Sequence, residues 1–168
     1  MIIVVLGLPG SGKTYLASQF AKLIGADYIN SDRVRKSMFP VRSYSEKEKA
    51  SVYNEMLDLA RQFIRRNKNL VLDATFYRND IRKKFIDEAK GEIVFIEVTA
   101  EEAVVKERLK QKRADSDADF EVYKLIKKQW EPLRGHRLML ISSNNNIEDM
   151  LHQAVGYLKL RNEKRAYC

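Results

Sequence analysis

The chain has 168 residues, of which 45% are hydrophobic and 32% are charged, a balance that is typical of a globular protein and excludes an intrinsically disordered one. Its length suits one domain with one sizeable core, which we expect to span residues 1–168, and its single cysteine, Cys168, excludes an internal disulfide. The formal net charge of +8 favours a polyanionic partner such as nucleic acid, but a positive field equally suits an enzyme that handles phosphates.

The chain opens with an apolar run that leads directly into a glycine-rich loop. Ile2–Leu6 predicts a strand buried on both faces, and this run is too short to span a membrane and lacks the basic start of a signal peptide. The eight residues that follow fit the phosphate-binding P-loop pattern G-x-x-x-x-G-K-[ST]. We therefore predict a nucleoside triphosphate, ATP with Mg²⁺, as the cofactor, a cytoplasmic location and no membrane contact. The predicted nucleotide-binding residues of the loop are Gly7, Pro9, Gly10, Ser11, Gly12, Lys13 and Thr14.

Each part of this pattern has a physical reason. Gly7 and Gly12 permit backbone angles and close approaches that a Cβ would prevent, so that successive N–H groups can surround a phosphate. Lys13 is expected to reach the β- and γ-phosphates, and the Thr14 hydroxyl is expected to ligate Mg²⁺. The positive end of the helix that begins here points at the same anion.

Strands and helices then alternate to the end of the chain. Further strands are predicted at Ala26–Asn30, Leu70–Asp73, Ile93–Val98 and Arg137–Ile141. Helices are predicted from the P-loop to a Gly25 cap, then at Ser31–Phe39, from a Ser45 cap to about residue 66, at about Asp80–Ala89, from Glu101 to about Lys112 after a Thr99 cap, at Phe120–Trp130 and from Ile147 to about Leu160. This alternation predicts an α/β protein of the P-loop NTPase fold: a five-stranded parallel sheet with helices on both faces. Residues 113–119, within a lid region of about 108–120, have no apolar side chain larger than alanine and predict a small mobile lid.

Acidic residues follow two of the predicted strands, at the sheet edge where ligands bind in open α/β folds. Asp73 ends an apolar strand, as an acid that holds Mg²⁺ or its waters does, although it could instead order the next loop. Asp32 and Arg35 lie three residues apart on one helix face, where the carboxylate could accept a proton from an acceptor hydroxyl. The alternative is that Asp32 only caps the helix and Arg35 is solvated. Arg108 and Arg113 flank the lid and are candidates to stabilise the transferred phosphoryl group.

The motifs of other P-loop classes are missing. The sequence has no N-K-x-D guanine motif and no L-S-G-G-Q transporter signature, which leaves the small-kinase type. A resemblance to one family is carried by the P-loop, Asn30-Ser31-Asp32-Arg33-Val34-Arg35, Leu70–Thr75, Glu107-Arg108-Leu109, Arg113 and Ser116–Asp119. Over about residues 1–135 the chain resembles the polynucleotide-kinase-like P-loop kinases.

This resemblance implies an ATP- and Mg²⁺-dependent kinase whose acceptor is the 5′-hydroxyl of RNA or DNA. It assigns Asp32 as the general base, Arg35 to the acceptor's phosphate, and Arg113, with Arg108 as the other candidate, to the ATP phosphates. Two alternatives stay open: a kinase for a small molecule (a sugar acid, nucleoside or antibiotic), and a non-catalytic module whose partner binding is gated by nucleotide. An Asp32→Asn variant distinguishes the enzyme from the module.

Overall fold

The computed structural model of the protein describes residues 1–111 and 118–166, the side chains of 162 and 164–166 excepted. The strands are β1 (Ile2–Leu6), β2 (Asp27–Asn30), β3 (Leu70–Asp73), β4 (Ile93–Thr99) and β5 (Leu138–Ile141). The helices are α1 (Lys13–Ile24), α2 (Ser31–Met38), α3 (Glu46–Arg65), α4 (Asn79–Ala89), α5 (Glu102–Lys110), α6 (Phe120–Gln129) and α7 (Ile147–Ala166). The elements alternate as the sequence predicts.

The five strands form one parallel sheet in the order β2-β3-β1-β4-β5. In its register, Val5 of β1 lies opposite Asp73 of β3, and Asn30 of β2 also lies opposite Asp73. The predicted α/β fold with a five-stranded parallel sheet is therefore confirmed. The register brings the carboxyl ends of β1, β2 and β3 to one edge, where the P-loop leaves β1.

Alternate residues of β1 pack into two cores on opposite faces of the sheet. Ile3 and Val5 face a core that includes side chains of α1 and α7. Ile2, Val4 and Leu6 face a second core that includes side chains of α3 and α4. All five β1 side chains are essentially inaccessible, which is the burial expected for a central parallel strand covered by helices on both faces.

The helices begin and end mostly where local chemistry predicts. The Ser45 hydroxyl accepts a hydrogen bond from the Glu48 N–H at the start of α3, and Gly25 ends α1 in the left-handed region. The prediction that Thr99 caps the next helix is wrong. Thr99 is the last residue of β4, and Glu101 is the N-cap of α5, because the parallel pairing of β4 with β5 extends to Thr99.

A small third core lies beside the P-loop. Val105 and Leu109 of α5 pack with Tyr123 of α6 and with Leu8 of the loop itself. None of the helices in the described part of the chain is both long and apolar enough to cross a membrane.

Candidate active site

A cavity of about 620 Å³ opens at the carboxyl edge of the sheet and joins three groups of residues. The first is the P-loop with the first turns of α1, and the second is Arg108 with the β5–α7 turn at residues 142–146. The third group, which we call the acceptor wall, comes from α2, α3 and the loops that follow α2 and β3. It consists of Asp32, Arg35, Tyr44, Lys49, Tyr53, Thr75 and Tyr77.

The P-loop is closely surrounded on its inner side. A Cβ on Gly7 would lie 2.2 Å from the Val98 carbonyl oxygen, and one on Gly10 would lie 2.8 Å from Val105 Cγ1. Gly7, Gly10 and Gly12 all have positive φ, between 79° and 155°. The three predicted glycine positions therefore need glycine both for backbone conformation and for space. Pro9 is buried next to Gly10, and Ser11 is buried within the loop.

Lys13 and Thr14 begin α1 at the floor of the cavity. The Lys13 ammonium lies 3.4 Å from the Leu8 carbonyl oxygen, and Gly12 in the left-handed region is the N-cap of α1. The Gly12 N-cap has no side chain to accept hydrogen bonds from the first N–H groups of the helix, which suits an anion at this position. The exposed Thr14 side chain opens onto the same space.

Arg108 joins the P-loop to the β5–α7 turn. Its guanidinium donates to the Gly10 carbonyl at 3.3 Å, to the Ser142 hydroxyl at 3.1 Å and to the Ser143 carbonyl at 2.8 Å. Partial burial lowers the pKa of Arg108 from its ordinary value, but a guanidinium stays charged at neutral pH. The structure therefore places Arg108 at the nucleotide side of the cavity. Arg113, the other predicted lid arginine, is one of residues 112–117, which lie outside the described residues.

Asn30 connects the two acidic positions that the sequence singles out. Its Oδ1 accepts hydrogen bonds from the N–H groups of Asp32 and Arg33, so Asn30 is the N-cap of α2. Its Nδ2 donates to Asp73 Oδ2 at 2.6 Å, and the Tyr28 hydroxyl donates to the same oxygen at 2.8 Å. Burial and the neighbouring carboxylate of Asp73 raise the pKa of Tyr28 well above its ordinary value. The capping role considered for Asp32 thus belongs to Asn30, and the Asp32 carboxylate contacts Arg35 instead.

The oxygen atoms at this edge fit a magnesium ion in kind. The Asp73 side chain is fully buried, and its Oδ1 has no hydrogen-bond partner among the described residues. Mg²⁺ prefers hard oxygen ligands and usually combines one or two protein oxygens with water and substrate phosphates. Thr14 lines the cavity directly. Asp73 is fully buried and is connected to the cavity through Asn30, which lines it and donates to Asp73 Oδ2. Among the described residues there is no group of three or more His, Cys, Asp and Glu side chains that could hold a metal ion. A magnesium ion here would therefore depend on phosphate and water ligands as well.

Asp32 and Arg35 of the acceptor wall form an ion-pair chain with Glu48, a buried residue of α3. Arg35 Nη1 lies 2.9 Å from Asp32 Oδ1, and Arg35 Nε lies 3.0 Å from Glu48 Oε1. The second Glu48 oxygen accepts from the Ser43 N–H and hydroxyl and from the Tyr44 N–H. Although burial raises the pKa of Glu48, these hydrogen bonds and Arg35 outweigh it and lower the pKa below its ordinary value. Arg35 is therefore fixed between two carboxylates and orients Asp32.

Three tyrosines form most of the remaining acceptor wall. The Tyr44 ring lies over the Arg35 guanidinium with its centroid 5.0 Å from Cζ, and the Tyr77 ring centroid lies 5.9 Å from the Lys49 ammonium. The Tyr53 hydroxyl accepts a hydrogen bond from the Phe76 N–H at 2.9 Å, which fixes the loop that carries Thr75. Burial raises the pKa of Tyr53 well above its ordinary value, so this hydroxyl stays protonated.

Sequence reasoning missed several residues of this site. It treated Asn30 only as part of a motif, and it did not select the three tyrosines or Lys49. One signal was present for Glu48, which stands three residues after the Ser45 cap, where an acid is expected to bond back to the helix start. In the structure its carboxylate instead binds Ser43, Tyr44 and Arg35.

Three features together define a kinase-like P-loop protein. They are a P-loop after the central strand of a parallel sheet, the acid Asp73 at the end of β3, and the Asp32–Arg35 pair in α2, directly after β2. The chain belongs to the family described as "AAA domain", whose model matches residues 2–133.

Solved structures of two kinases and of the protein Kti12 share this architecture. A gluconokinase from Sinorhizobium meliloti 1021 is 17% identical, with a TM-score of 0.77 over 99% of this chain and 95% of that one. The APS kinase CysC of Mycobacterium tuberculosis, in complex with AMPPNP and APS, is 15% identical, with a TM-score of 0.70 over 94% and 96%. Kti12 of Chaetomium thermophilum, in complex with ADP-AlF3, is 20% identical, with a TM-score of 0.67 over 94% and 97%. Identities this low show a shared fold.

Proposed function

We propose that the protein is an ATP-dependent kinase that transfers the γ-phosphoryl group to the hydroxyl of a small molecule. The observation that carries this proposal is the position of Asp32. Its carboxylate lines the same cavity as the P-loop, is oriented by Arg35 at 2.9 Å, and is not used as the helix cap. A nucleotide-gated binding module would have no need of a carboxylate held in this way.

The residues divide the reaction between them. Lys13 and the P-loop amides hold the β- and γ-phosphates, while Thr14 and Asp73 would hold Mg²⁺ directly or through water. When bound, the ion neutralises charge on the phosphate oxygens. Asp32 accepts the proton of the acceptor hydroxyl as its oxygen bonds to the γ-phosphorus. The bond between that phosphorus and the β–γ bridging oxygen breaks, and ADP leaves with the electron pair.

The volume of the cavity favours a small acceptor over a polynucleotide. Its 620 Å³ has to hold the triphosphate and the acceptor together, which is a volume suited to metabolite-sized ligands. Two structures with the same fold are named as kinases of small molecules, gluconate and APS. The 5′-hydroxyl of RNA or DNA, which the sequence resemblance implies, has the net charge of +8 in its favour but no comparison that supports it.

The proposal is tested with γ-labelled ATP, a set of hydroxylated small molecules and a 5′-hydroxyl oligonucleotide. The Asp32→Asn variant should lower transfer by about 10²–10⁴-fold while leaving ATP affinity, measured by calorimetry, unchanged. Asp58→Asn, which removes an exposed carboxylate on the outer surface of α3, is the matched control and should keep full activity. Undiminished turnover in Asp32→Asn would show that Asp32 is not the base. Label on the oligonucleotide alone would restore the polynucleotide acceptor.

A further inference from the structure

We infer that the acceptor is an uncharged molecule with a planar ring, of about nucleoside size, rather than an anionic metabolite or a polynucleotide. This inference rests on the proposed function and concerns its substrate class. Two independent features of the acceptor wall support it: both of its cations already contact carboxylates, and three tyrosines line the same cavity.

The two cations of the acceptor wall, Arg35 and Lys49, both contact carboxylates. These carboxylates belong to Asp32, Glu46 and Glu48. Both cations are already engaged. Arg35 contacts two carboxylates, at 2.9 and 3.0 Å, and Lys49 Nζ lies 2.8 Å from Glu46 Oε1.

An anionic acceptor is therefore poorly matched to this wall. Its phosphate or carboxylate would compete with the carboxylates of Asp32, Glu46 and Glu48 for the same two cations, and these carboxylates would repel it. Most of the Glu48 side chain is buried, so the loss of its arginine would be costly. Arg35, to which the resemblance assigns the acceptor's phosphate, is thereby committed to orienting Asp32. An uncharged acceptor leaves all of these pairs intact.

The three tyrosines provide what an uncharged ring needs. Aromatic rings bind other rings through area burial and offset stacking, and this gain does not depend on acceptor charge. Tyr44 is 41% exposed, while Tyr53 and Tyr77, which also line the cavity, are almost buried. The Tyr53 hydroxyl uses its oxygen to accept from Phe76, so its proton remains a donor for a polar atom of the acceptor.

The backbone of Tyr44 supports a binding role for its ring. Tyr44 has a φ of +54°, a conformation that is uncommon for a non-glycine residue with a large side chain. Its N–H donates to Glu48 Oε2, so the ion-pair chain that orients Asp32 also holds this strained residue in place. Strain of this kind persists where the surrounding structure imposes it, and it is concentrated at ligand-binding sites.

The test compares pairs of related acceptors, of which one member is neutral and the other carries an anionic group. Thymidine and thymidine 3′-monophosphate share one 5′-hydroxyl, and glucose and gluconate form a second pair without a planar ring. Transfer from γ-labelled ATP is measured as kcat/KM for all four compounds. We expect thymidine to exceed thymidine 3′-monophosphate by at least tenfold and also to exceed glucose. The same pair separates this inference from a polynucleotide kinase, which requires the 3′-phosphate form to be accepted at least as well.

Two pairs of variants assign the preference to the wall. Glu46→Gln releases Lys49, so the ratio of neutral to anionic kcat/KM should fall several-fold, whereas Asp58→Asn, the same change elsewhere on α3, should leave the ratio alone. Tyr44→Asn should raise KM for thymidine about tenfold, and Tyr44→Phe should restore it. Asparagine adopts the left-handed conformation readily, so the loss in Tyr44→Asn would report the missing ring rather than backbone strain.

The outcomes separate the two levels of the proposal. Equal or faster transfer to the anionic member of each pair, or transfer to glucose that matches thymidine, would overturn the inference and leave the kinase assignment standing. No label on any of the four compounds or on the oligonucleotide would overturn both.

Discussion

Arg82 offers the sharpest test of how the acceptor wall is held. This side chain is 1% exposed and donates to the Phe76 carbonyl at 2.9 Å, to Asn79 Oδ1 at 2.6 Å and to the Glu131 carbonyl. It also lies under the Trp130 ring, 5.8 Å from its centroid. One arginine thus fastens the loop between β3 and α4, which carries Thr75 and Tyr77, to the segment that follows α6. We propose the substitution Arg82→Met, which keeps similar bulk and removes every donor.

The magnitude follows from the groups left behind. The Phe76 residue is fully buried, so its carbonyl would lose its partner without gaining water, at a cost of about 1–3 kcal/mol. The Glu131 carbonyl is less buried, and its loss adds about 1 kcal/mol. Relief of the desolvation that lowers the pKa of Arg82 offsets part of this. A net loss of about 2 kcal/mol in a chain of this size corresponds to a Tm lower by about 4–8 °C.

Thermal unfolding followed by circular dichroism measures this loss of stability. The KM for the acceptor, compared with the affinity for ATP, shows which part of the site is affected. In Arg82→Met we expect KM for the acceptor to rise while the ATP affinity stays within about twofold, because the P-loop does not contact Arg82. The neighbouring Lys83→Met is the control, since Lys83 is exposed and, within the described part of the chain, pairs with Asp87. A Tm within about 1 °C of the unsubstituted protein, or a loss of ATP affinity equal to the loss for the acceptor, would refute the reasoning.

Three further substitutions test other contacts. Gly12→Ala should weaken ATP binding about tenfold or more, because its Cβ would lie 2.6 Å from Ser142 Oγ at a φ of +90°; Gly156→Ala in α7, with open space around it, should be neutral or stabilising, as calorimetry and melting curves would show. Tyr28→Phe removes a donor to Asp73 and should raise the Mg²⁺ concentration for half-maximal activity by about tenfold, so an unchanged Mg²⁺ titration would count against Asp73 as a metal-site residue. Glu48 has a lowered pKa when folded, so its stabilisation is present above its ordinary value of 4.5 and is lost as the pH falls through the folded value; melting curves of the unsubstituted protein and Glu48→Gln should therefore differ at neutral pH and converge in acid.

Local sequence patterns are enough to predict the strands, the helix ends and the position of the P-loop. The strand Leu70–Asp73 was expected with the bounds that the structure has, because a short apolar run between polar turns has few alternatives. Gly25 was expected as a helix end for an equally local reason, the left-handed conformation that glycine adopts readily. The P-loop needs only eight consecutive residues, so its position was also predictable.

The acceptor wall was not predictable in the same way, because its contacts join distant parts of the chain. Tyr53 meets Phe76 across 23 positions, and Arg82 meets Glu131 across 49. Their sequence neighbourhoods give no sign of these partners: Tyr53 reads as one more side chain of an amphipathic helix, and Arg82 as one more basic residue on a charged surface. Their roles follow only from the folded topology.

The close surroundings of the P-loop determine which parts of the protein can move during a turnover. The Val98 carbonyl and the α5 side chains leave the loop no room to retreat, so it acts as a fixed stop. On the opposite side of the cavity, α2 and α3 are joined by the ion pair between Arg35 and Glu48. The Tyr44 N–H donates to the same carboxylate, so Tyr44, Glu48, Arg35 and Asp32 form one connected chain of contacts. We therefore expect that a ligand which shifts Tyr44 also shifts the Asp32 carboxylate, while the P-loop keeps its place.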